Sequence, residues 1–164
     1  MSEIVFDIET TGLNPLESRI TCISAKIDAN EIISCCEEDE KLILQWFFTI
    51  VADDDTLVSF NGNNFDIPFI VKRCIINNVK MTHNISLDIA RVINCAALTA
   101  KSIDYGSLNF WSKILLGTEK MENGEKCIDY FKNKEYDKLR KHNEEDVRIT
   151  KILLDKLREL RILP

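Results

Sequence analysis

Apolar and polar positions alternate at the start of the chain. In residues 3–9 the apolar side chains recur at every second position, which predicts a β-strand with one apolar face. Two β-branched segments, residues 19–27 and 31–35, predict further strands, and the polar turn formers at 28–30 between them predict a hairpin. The chain is therefore expected to open with three strands.

The pattern then changes to a mixture of helical periods and short apolar runs. Helical spacing of apolar residues predicts four helices, over residues 38–51, 66–77, 108–116 and about 135–160. Short apolar runs at 56–60 and 86–90 predict two more strands, whereas residues 118–134 are polar and poorly periodic and predict no element. This order predicts an α/β fold, a mixed five-stranded sheet with helices on both faces.

Length and composition narrow the class of protein. With 164 residues, 45% of them hydrophobic and 29% charged, the chain is expected to form a single domain over residues 1–164. The apolar runs are too short for a membrane-spanning helix, and the N-terminus has no signal-peptide pattern. We therefore expect a protein without a membrane partner, located in the cytoplasm.

The cysteines and histidines suggest no metal site of their own. None of the six cysteines forms a CxxC pair, and there are only two histidines, so a zinc site is not expected. Without an export signal, reduced and buried thiols are favoured over disulfides.

The charge is acidic overall, with a formal net value of −6, which argues against a partner bound through bulk positive charge. Residues 130–164 nevertheless carry a positive balance. Either a solvated helix face or a phosphate-binding surface would account for it.

Two acids in the first strand are the first candidate for chemistry. Asp7 and Glu9 are two positions apart and share the strand face opposite its apolar side. Burying two carboxylates is costly unless a positive charge compensates them, and a divalent cation would do so. The alternative is an edge strand with one solvated face.

Two further acids are candidates on helices. Asp66 opens the predicted helix 66–77 and could be its N-cap. His142 and Asp146, at spacing i, i+4, share one face of the last predicted helix. The alternative for this pair is a helix that starts at Asn143, with Asp146 in a capping arrangement.

Together these segments resemble a known family. Residues 6–13, Phe-Asp-Ile-Glu-Thr-Thr-Gly-Leu, and residues 60–69, Phe-Asn-Gly-Asn-Asn-Phe-Asp-Ile-Pro-Phe, look like the first two motifs of the DEDD 3′–5′ exonucleases of the ribonuclease-H-like superfamily. The segment from Ser107 to Lys120 and the run His142-Asn143-x-x-Asp146 are similar to later motifs of that group. The resemblance is closest to the exonuclease domains of family B DNA polymerases and their stand-alone relatives.

The resemblance implies a metal-dependent 3′–5′ exonuclease with a ribonuclease-H-like fold. Asp7, Glu9, Asp66 and Asp146 would hold two divalent ions, Mg²⁺ or Mn²⁺, and Asp7 would bridge them. His142 would bind the attacking water and complete the catalytic set. Here the chain departs from the family, because a histidine occupies the position, four before the last aspartate, that holds a tyrosine in one subclass.

The resemblance also implies the substrate and its contacts. The substrate would be the 3′ end of a single strand, DNA or RNA. The loop after the first strand would hold the terminal nucleotide with Thr10, Thr11, Gly12 and Leu13. Asn61 and Phe65 would line the other side. Two alternatives remain, an inactive fold retained as a nucleic-acid-binding or protein-interaction module and a structure-directed endonuclease.

Overall fold

The computed structural model describes residues 1–82, 85–88, 107–117 and 124–163, with the backbone alone for residues 85–88. Its strands are β1 (Glu3–Thr10), β2 (Ile20–Ile27), β3 (Ile32–Cys36), β4 (Thr56–Ser59) and β5 (Ile85–Asp88). They form one sheet in the order β3-β2-β1-β4-β5.

The sheet is mixed, as predicted. β1–β2 and β2–β3 pair antiparallel, whereas β1–β4 and β4–β5 pair parallel. The hairpin at 28–30 is confirmed by the pairing of β2 with β3. Of the predicted strand 86–90, residues 89 and 90 lie outside the described part of the chain.

The described helices are α1 (Glu40–Ile50), α2 (Asp66–Asn77), α3 (Leu108–Leu116), α4 (Glu125–Lys132) and α5 (Tyr136–Glu159). Four of them confirm the predicted helices to within a few residues. The prediction of no element within 118–134 was wrong over α4. Cys127 is the buried residue among the eight of α4, and the partly buried Tyr130 and Phe131 pack in the same cluster. Their spacing of i, i+3, i+4 is a helical period, confined to two turns of chain, that the prediction missed.

Helices cover both faces of the sheet. On one face Phe6 of β1 packs against Phe47 of α1, with ring centroids 5.4 Å apart, and Phe69 of α2 belongs to the same core. On the other face Val5 packs in a core with Leu154 of α5. β1 therefore contributes alternate residues to two cores, as its period of two requires.

β1 lies between β2 and β4 in the interior of the sheet. The alternative that Asp7 and Glu9 face solvent from an edge strand is therefore wrong. The face of β1 that carries them is covered by α5, because Val5 and α5 share a core on that side.

A disulfide joins Cys22 of β2 to Cys36 of β3, so the expectation of reduced thiols was wrong for this pair. The antiparallel register sets the two residues opposite each other, with 4.1 Å between their Cα atoms. Cys35, Cys74 and Cys127 remain thiols. Cys95 lies outside the described residues.

Within the described residues, no helix combines the length and the apolar character needed to cross a bilayer.

Candidate active site

Three carboxylates converge between the sheet and the last helix. Asp7 and Glu9 project from β1, and Asp146 projects from the middle of α5. One oxygen from each of the three lies within 4.8 Å of the others. Glu9 and Asp146 are buried and Asp7 is partly buried. The arrangement concentrates negative charge at one point, as a cation-binding site does.

His142 lies at the edge of this cluster. Its Nε2 atom is 3.5 Å from Glu9 Oε1 and 3.9 Å from Asp146 Oδ2. Because α5 begins at Tyr136, His142 and Asp146 are interior helix residues one turn apart. The alternative of a helix start at Asn143 was therefore wrong.

Asn143 is a site residue that motif reasoning missed. Its side chain is fully buried, and Nδ2 donates a hydrogen bond of 2.6 Å to Asp7 Oδ2. The sequence did contain a signal for it. Asn143 is four residues after Leu139 and four before Val147, both fully buried, so it is a polar residue on the sheet-facing stripe of α5.

Asp66 also contacts β1, although it belongs to α2, the helix that packs on the other face of the sheet. It is the first residue of α2, whose N-cap is Phe65, so the N-cap alternative for Asp66 was wrong. Asp66 is 3% exposed, and its Oδ1 accepts a hydrogen bond of 3.3 Å from the backbone N–H of Ile8. Since Ile8 separates the two acids of β1, the Asp66 carboxylate lies beside the cluster.

Gly62 makes room for this approach. A Cβ atom at that position would lie 1.8 Å from Ser59 Oγ and 3.5 Å from Asp66 Oδ2. Any larger residue would therefore displace Ser59 at the end of β4, and its Cβ would lie in van der Waals contact with the Asp66 carboxylate.

The loop that follows β1 is held by its own threonines. Thr10 Oγ1 donates to the carbonyl oxygen of Gly12 at 2.8 Å, and Thr11 Oγ1 accepts from the Arg19 N–H at 3.1 Å. Leu13, at the tip of this loop, is 83% exposed. The loop thus presents an apolar side chain to solvent, four residues after Glu9 at the end of β1.

The two residues predicted to line the other side of the substrate, Asn61 and Phe65, lie in the tight turn that precedes α2. Asn61 has φ of 63°, a left-handed conformation that asparagine tolerates better than most residues, and its Oδ1 accepts from Asn64 Nδ2 at 2.8 Å. Phe65 is partly buried, and its ring centroid is 5.4 Å from that of Phe69. Phe65 is therefore part of the packing as well as near the site.

A second group of ligating atoms overlaps the first. Glu9, His142 and Cys127 of α4 each offer one atom within 4.8 Å of the others, and all three residues are buried. No spacing in the sequence indicates this contact, because Cys127 comes from the helix that the pattern did not predict.

Comparison with known proteins identifies the family. The model of a family described as the RNase_H superfamily matches residues 4–158, and the chain belongs to this superfamily. The resemblance found in the motifs is confirmed at this level. An uncharacterized protein of Methanocaldococcus jannaschii is 33% identical over 84 residues, which cover 51% of this chain and 47% of that protein. The match thus spans about half of that relative.

Solved structures share the fold. A family B DNA polymerase from the archaeon Pyrobaculum calidifontis superposes with a TM-score of 0.79 at 18% identity, over 99% of this chain and 25% of the polymerase. The zinc-bound complex of E. coli ExoI with single-stranded DNA superposes with a TM-score of 0.63 at 16% identity, over 98% of this chain and 40% of that one. At these identities the likeness establishes the ribonuclease-H-like fold. Together with the family it supports a nuclease.

Proposed function

We propose that this chain is a metal-dependent 3′–5′ exonuclease acting on single-stranded nucleic acid. The observation that carries the proposal is the convergence of Asp7, Glu9 and Asp146, with oxygens within 4.8 Å, beside an imidazole 3.5 Å from Glu9. The similarity of the fold to that of ExoI, described in complex with single-stranded DNA, supports this substrate class.

The residues present fit divalent cations. Three carboxylates this close repel one another, and a cation among them relieves the repulsion. Their oxygens are the hard ligands that Mg²⁺ and Mn²⁺ prefer. The hydrogen bond from Asn143 orients Asp7, which is the kind of support that metal-ligating carboxylates receive.

Each site residue has a role in this proposal. Asp7, Glu9 and Asp146 would hold one ion, and Asp7 with Asp66 would hold the other. When bound, two such ions neutralise charge at phosphorus, favour an ionised water and stabilise the leaving 3′-oxygen. His142 would accept the proton of the attacking water, because a neutral imidazole is a base suited to neutral pH.

The chemical result is the release of one nucleotide. The water oxygen bonds to phosphorus, and the bond from phosphorus to the 3′-oxygen of the preceding nucleotide breaks. A nucleoside 5′-monophosphate leaves, and the shortened strand keeps a 3′-hydroxyl. Residues 10–13 would hold the terminal nucleotide, with the exposed Leu13 against its base. Asn61 and Phe65 would line the opposite side.

Digestion of a 5′-labelled single strand, as DNA and as RNA, tests the proposal. With Mg²⁺ or Mn²⁺ the wild type should produce a ladder of products that shorten by one nucleotide, and EDTA should abolish it. Asp7→Ala should remove the ladder, and His142→Ala should slow it by about 10²–10⁴-fold if the imidazole is the base. Asp137→Ala is the matched control, since this carboxylate of α5 is 90% exposed and belongs to neither group of ligating residues.

The product pattern separates the alternatives. One or two internal cuts would indicate an endonuclease instead. Binding of the strand without cleavage of either polymer under any metal would indicate a binding module. Full activity of Asp7→Ala would overturn the assignment of the site.

A further inference from the structure

We propose that Glu9, Cys127 and His142 form a second metal site, one that binds Zn²⁺ and inhibits the nuclease. The three ligating atoms, a carboxylate oxygen, a thiol sulfur and an imidazole nitrogen, lie within 4.8 Å of one another in a buried position. β1, α4 and α5 each contribute one of them.

The donor set is the one that zinc selects. Thiolate, imidazole and carboxylate are its common protein ligands, and three of them leave a fourth tetrahedral position for water. Bond lengths of about 2.0–2.3 Å put the donors of one tetrahedral zinc about 3.3–3.7 Å apart. His142 Nε2 and Glu9 Oε1, at 3.5 Å, already have this separation. The sulfur lies within 4.8 Å of both atoms, so a displacement of at most about 1.5 Å would bring it into the same range.

The surroundings of Cys127 distinguish it from the other buried thiol. Cys74 packs in the apolar core between α1, α2 and the sheet, where burial raises the pKa of its thiol to about 12. Cys127 instead lies beside an imidazole and a carboxylate, in the first turn of α4. A helix N-terminus favours negative charge, so this position suits a metal-bound thiolate.

The proposed zinc site and the acidic cluster share a residue. Glu9 belongs both to the acidic set with Asp7 and Asp146 and to the thiol-containing set. An ion in the second set would therefore divert Glu9 from the first set and would occupy the His142 nitrogen. The thiolate makes the second set selective for Zn²⁺ over Mg²⁺. The inhibitory effect rests on the proposed nuclease function, whereas the binding itself does not.

Titration with Co²⁺ tests the binding without any use of activity. Cobalt replaces zinc in such sites, and a thiolate ligand gives it a charge-transfer band in the near ultraviolet. The metal-free wild type should bind one Co²⁺ with this band, and added Zn²⁺ should remove it. The protein is kept free of added thiols, so that the Cys22–Cys36 disulfide stays formed.

Variants locate the ligand. Cys127→Ser and Cys127→Ala should lose the band, whereas Cys74→Ser, the matched buried thiol, should keep it. Asp7→Ala should keep it as well, because Asp7 belongs to the acidic set alone. The double variant Cys22→Ser/Cys36→Ser should also keep it, since these residues lie near Cys127 but are not among the three ligands. Circular dichroism checks that each variant is folded.

Inhibition is measured as the decrease in the Mg²⁺-dependent nuclease rate when Zn²⁺ is added. The rate of each variant is compared with its own rate without zinc. The Zn²⁺ concentration for half inhibition should rise about 10–100-fold in Cys127→Ser, on the scale of a perturbed metal site. Absence of the charge-transfer band in the wild type would overturn the proposal, and so would an unchanged band in both Cys127 variants. If the chain proves to have no nuclease activity, the proposed function fails and the cobalt spectra still decide the binding.

Discussion

Two buried carboxylate sites in this fold differ in how their charge is balanced. On the α1–α2 side, Glu40 is 5% exposed and accepts hydrogen bonds from Arg73 Nε at 2.8 Å and Nη2 at 2.6 Å. Asn77 Nδ2 and the Ile20 N–H complete its partners, at 2.8 and 2.7 Å. The negative charge of Glu40 is thus balanced by the guanidinium of Arg73, and its oxygens accept hydrogen bonds from fixed donors.

On the α5 side, one carboxylate oxygen from each of Asp7, Glu9 and Asp146 lies within 4.8 Å of the other two. The Asn143 amide and the His142 imidazole lie beside them. The first arrangement stabilises the fold, because the charge is neutralised internally. In the second arrangement the three carboxylates repel one another, and a bound cation would relieve this repulsion. The site therefore lowers the stability of the metal-free protein but favours cation binding, as is common at functional sites.

The largest expected difference is in stability without metal. Glu40→Gln should lower the free energy of unfolding by about 3–5 kcal/mol, because it leaves the Arg73 guanidinium buried opposite a neutral group. Glu9→Gln, the same change at the acidic cluster, should cost little or stabilise, because it removes repulsion. Urea unfolding in EDTA measures both. Equal losses would show that the two sites do not differ.

Manganese should stabilise the wild type through the acidic cluster. At 100 times the dissociation constant, an ion bound only to the folded state adds about 2.7 kcal/mol to the free energy of unfolding. Asp7→Asn should lose most of this gain, whereas Asp137→Asn should keep it. Thermal melting with and without Mn²⁺ measures the difference. A gain of equal size in Asp7→Asn would place the ion elsewhere.

Two asparagines allow a matched test of the same contrast. Asn143→Ala and Asn77→Ala each remove an amide donor to a carboxylate and should each cost about 1.5 kcal/mol of stability. Only Asn143→Ala should also weaken Mn²⁺ binding, by about 10–100-fold, because it supports a metal ligand. Calorimetric titration with Mn²⁺ tests this, and weaker binding in Asn77→Ala would contradict it.

The smallest effect concerns another buried acid, Asp55, whose carboxylate accepts hydrogen bonds from backbone N–H groups. Hydrogen bonds from the Ser2 and Ala52 N–H groups lower the pKa of Asp55. The carboxylate therefore adds stability above the ordinary carboxyl pKa, and this is lost as the pH falls through the lowered value. Asp55→Asn should cost about 1 kcal/mol at neutral pH and less in acid. Unfolding from pH 7 to pH 2 measures it, and a constant cost would disprove it.

The sequence predicted the features that depend on residues close together in the chain. The period of two in β1 puts Asp7 and Glu9 on one face, and the i, i+4 spacing in α5 pairs His142 with Asp146. Backbone geometry alone determines such relations. The mixed sheet and the superfamily also followed from the order of elements and motifs, and both are confirmed.

The register and packing of separate elements decided the rest. The hydrogen bond from Asn143 to Asp7 joins residues 136 apart, and that from Ile8 to Asp66 joins residues 58 apart. The Cys22–Cys36 disulfide depends on the pairing of β2 with β3.

The sequence by itself therefore determined the class of fold, and it predicted the acidic residues that are proposed to carry the chemistry. Only the tertiary structure decided that Cys127 joins Glu9 and His142, although neither cysteine nor histidine spacing indicated a metal site. α4 is only eight residues long, and its apolar side chains Cys127, Tyr130 and Phe131 show a helical period but not the element they pack against. Its position follows from packing against the other elements, a non-local contribution to the free energy that no local pattern records.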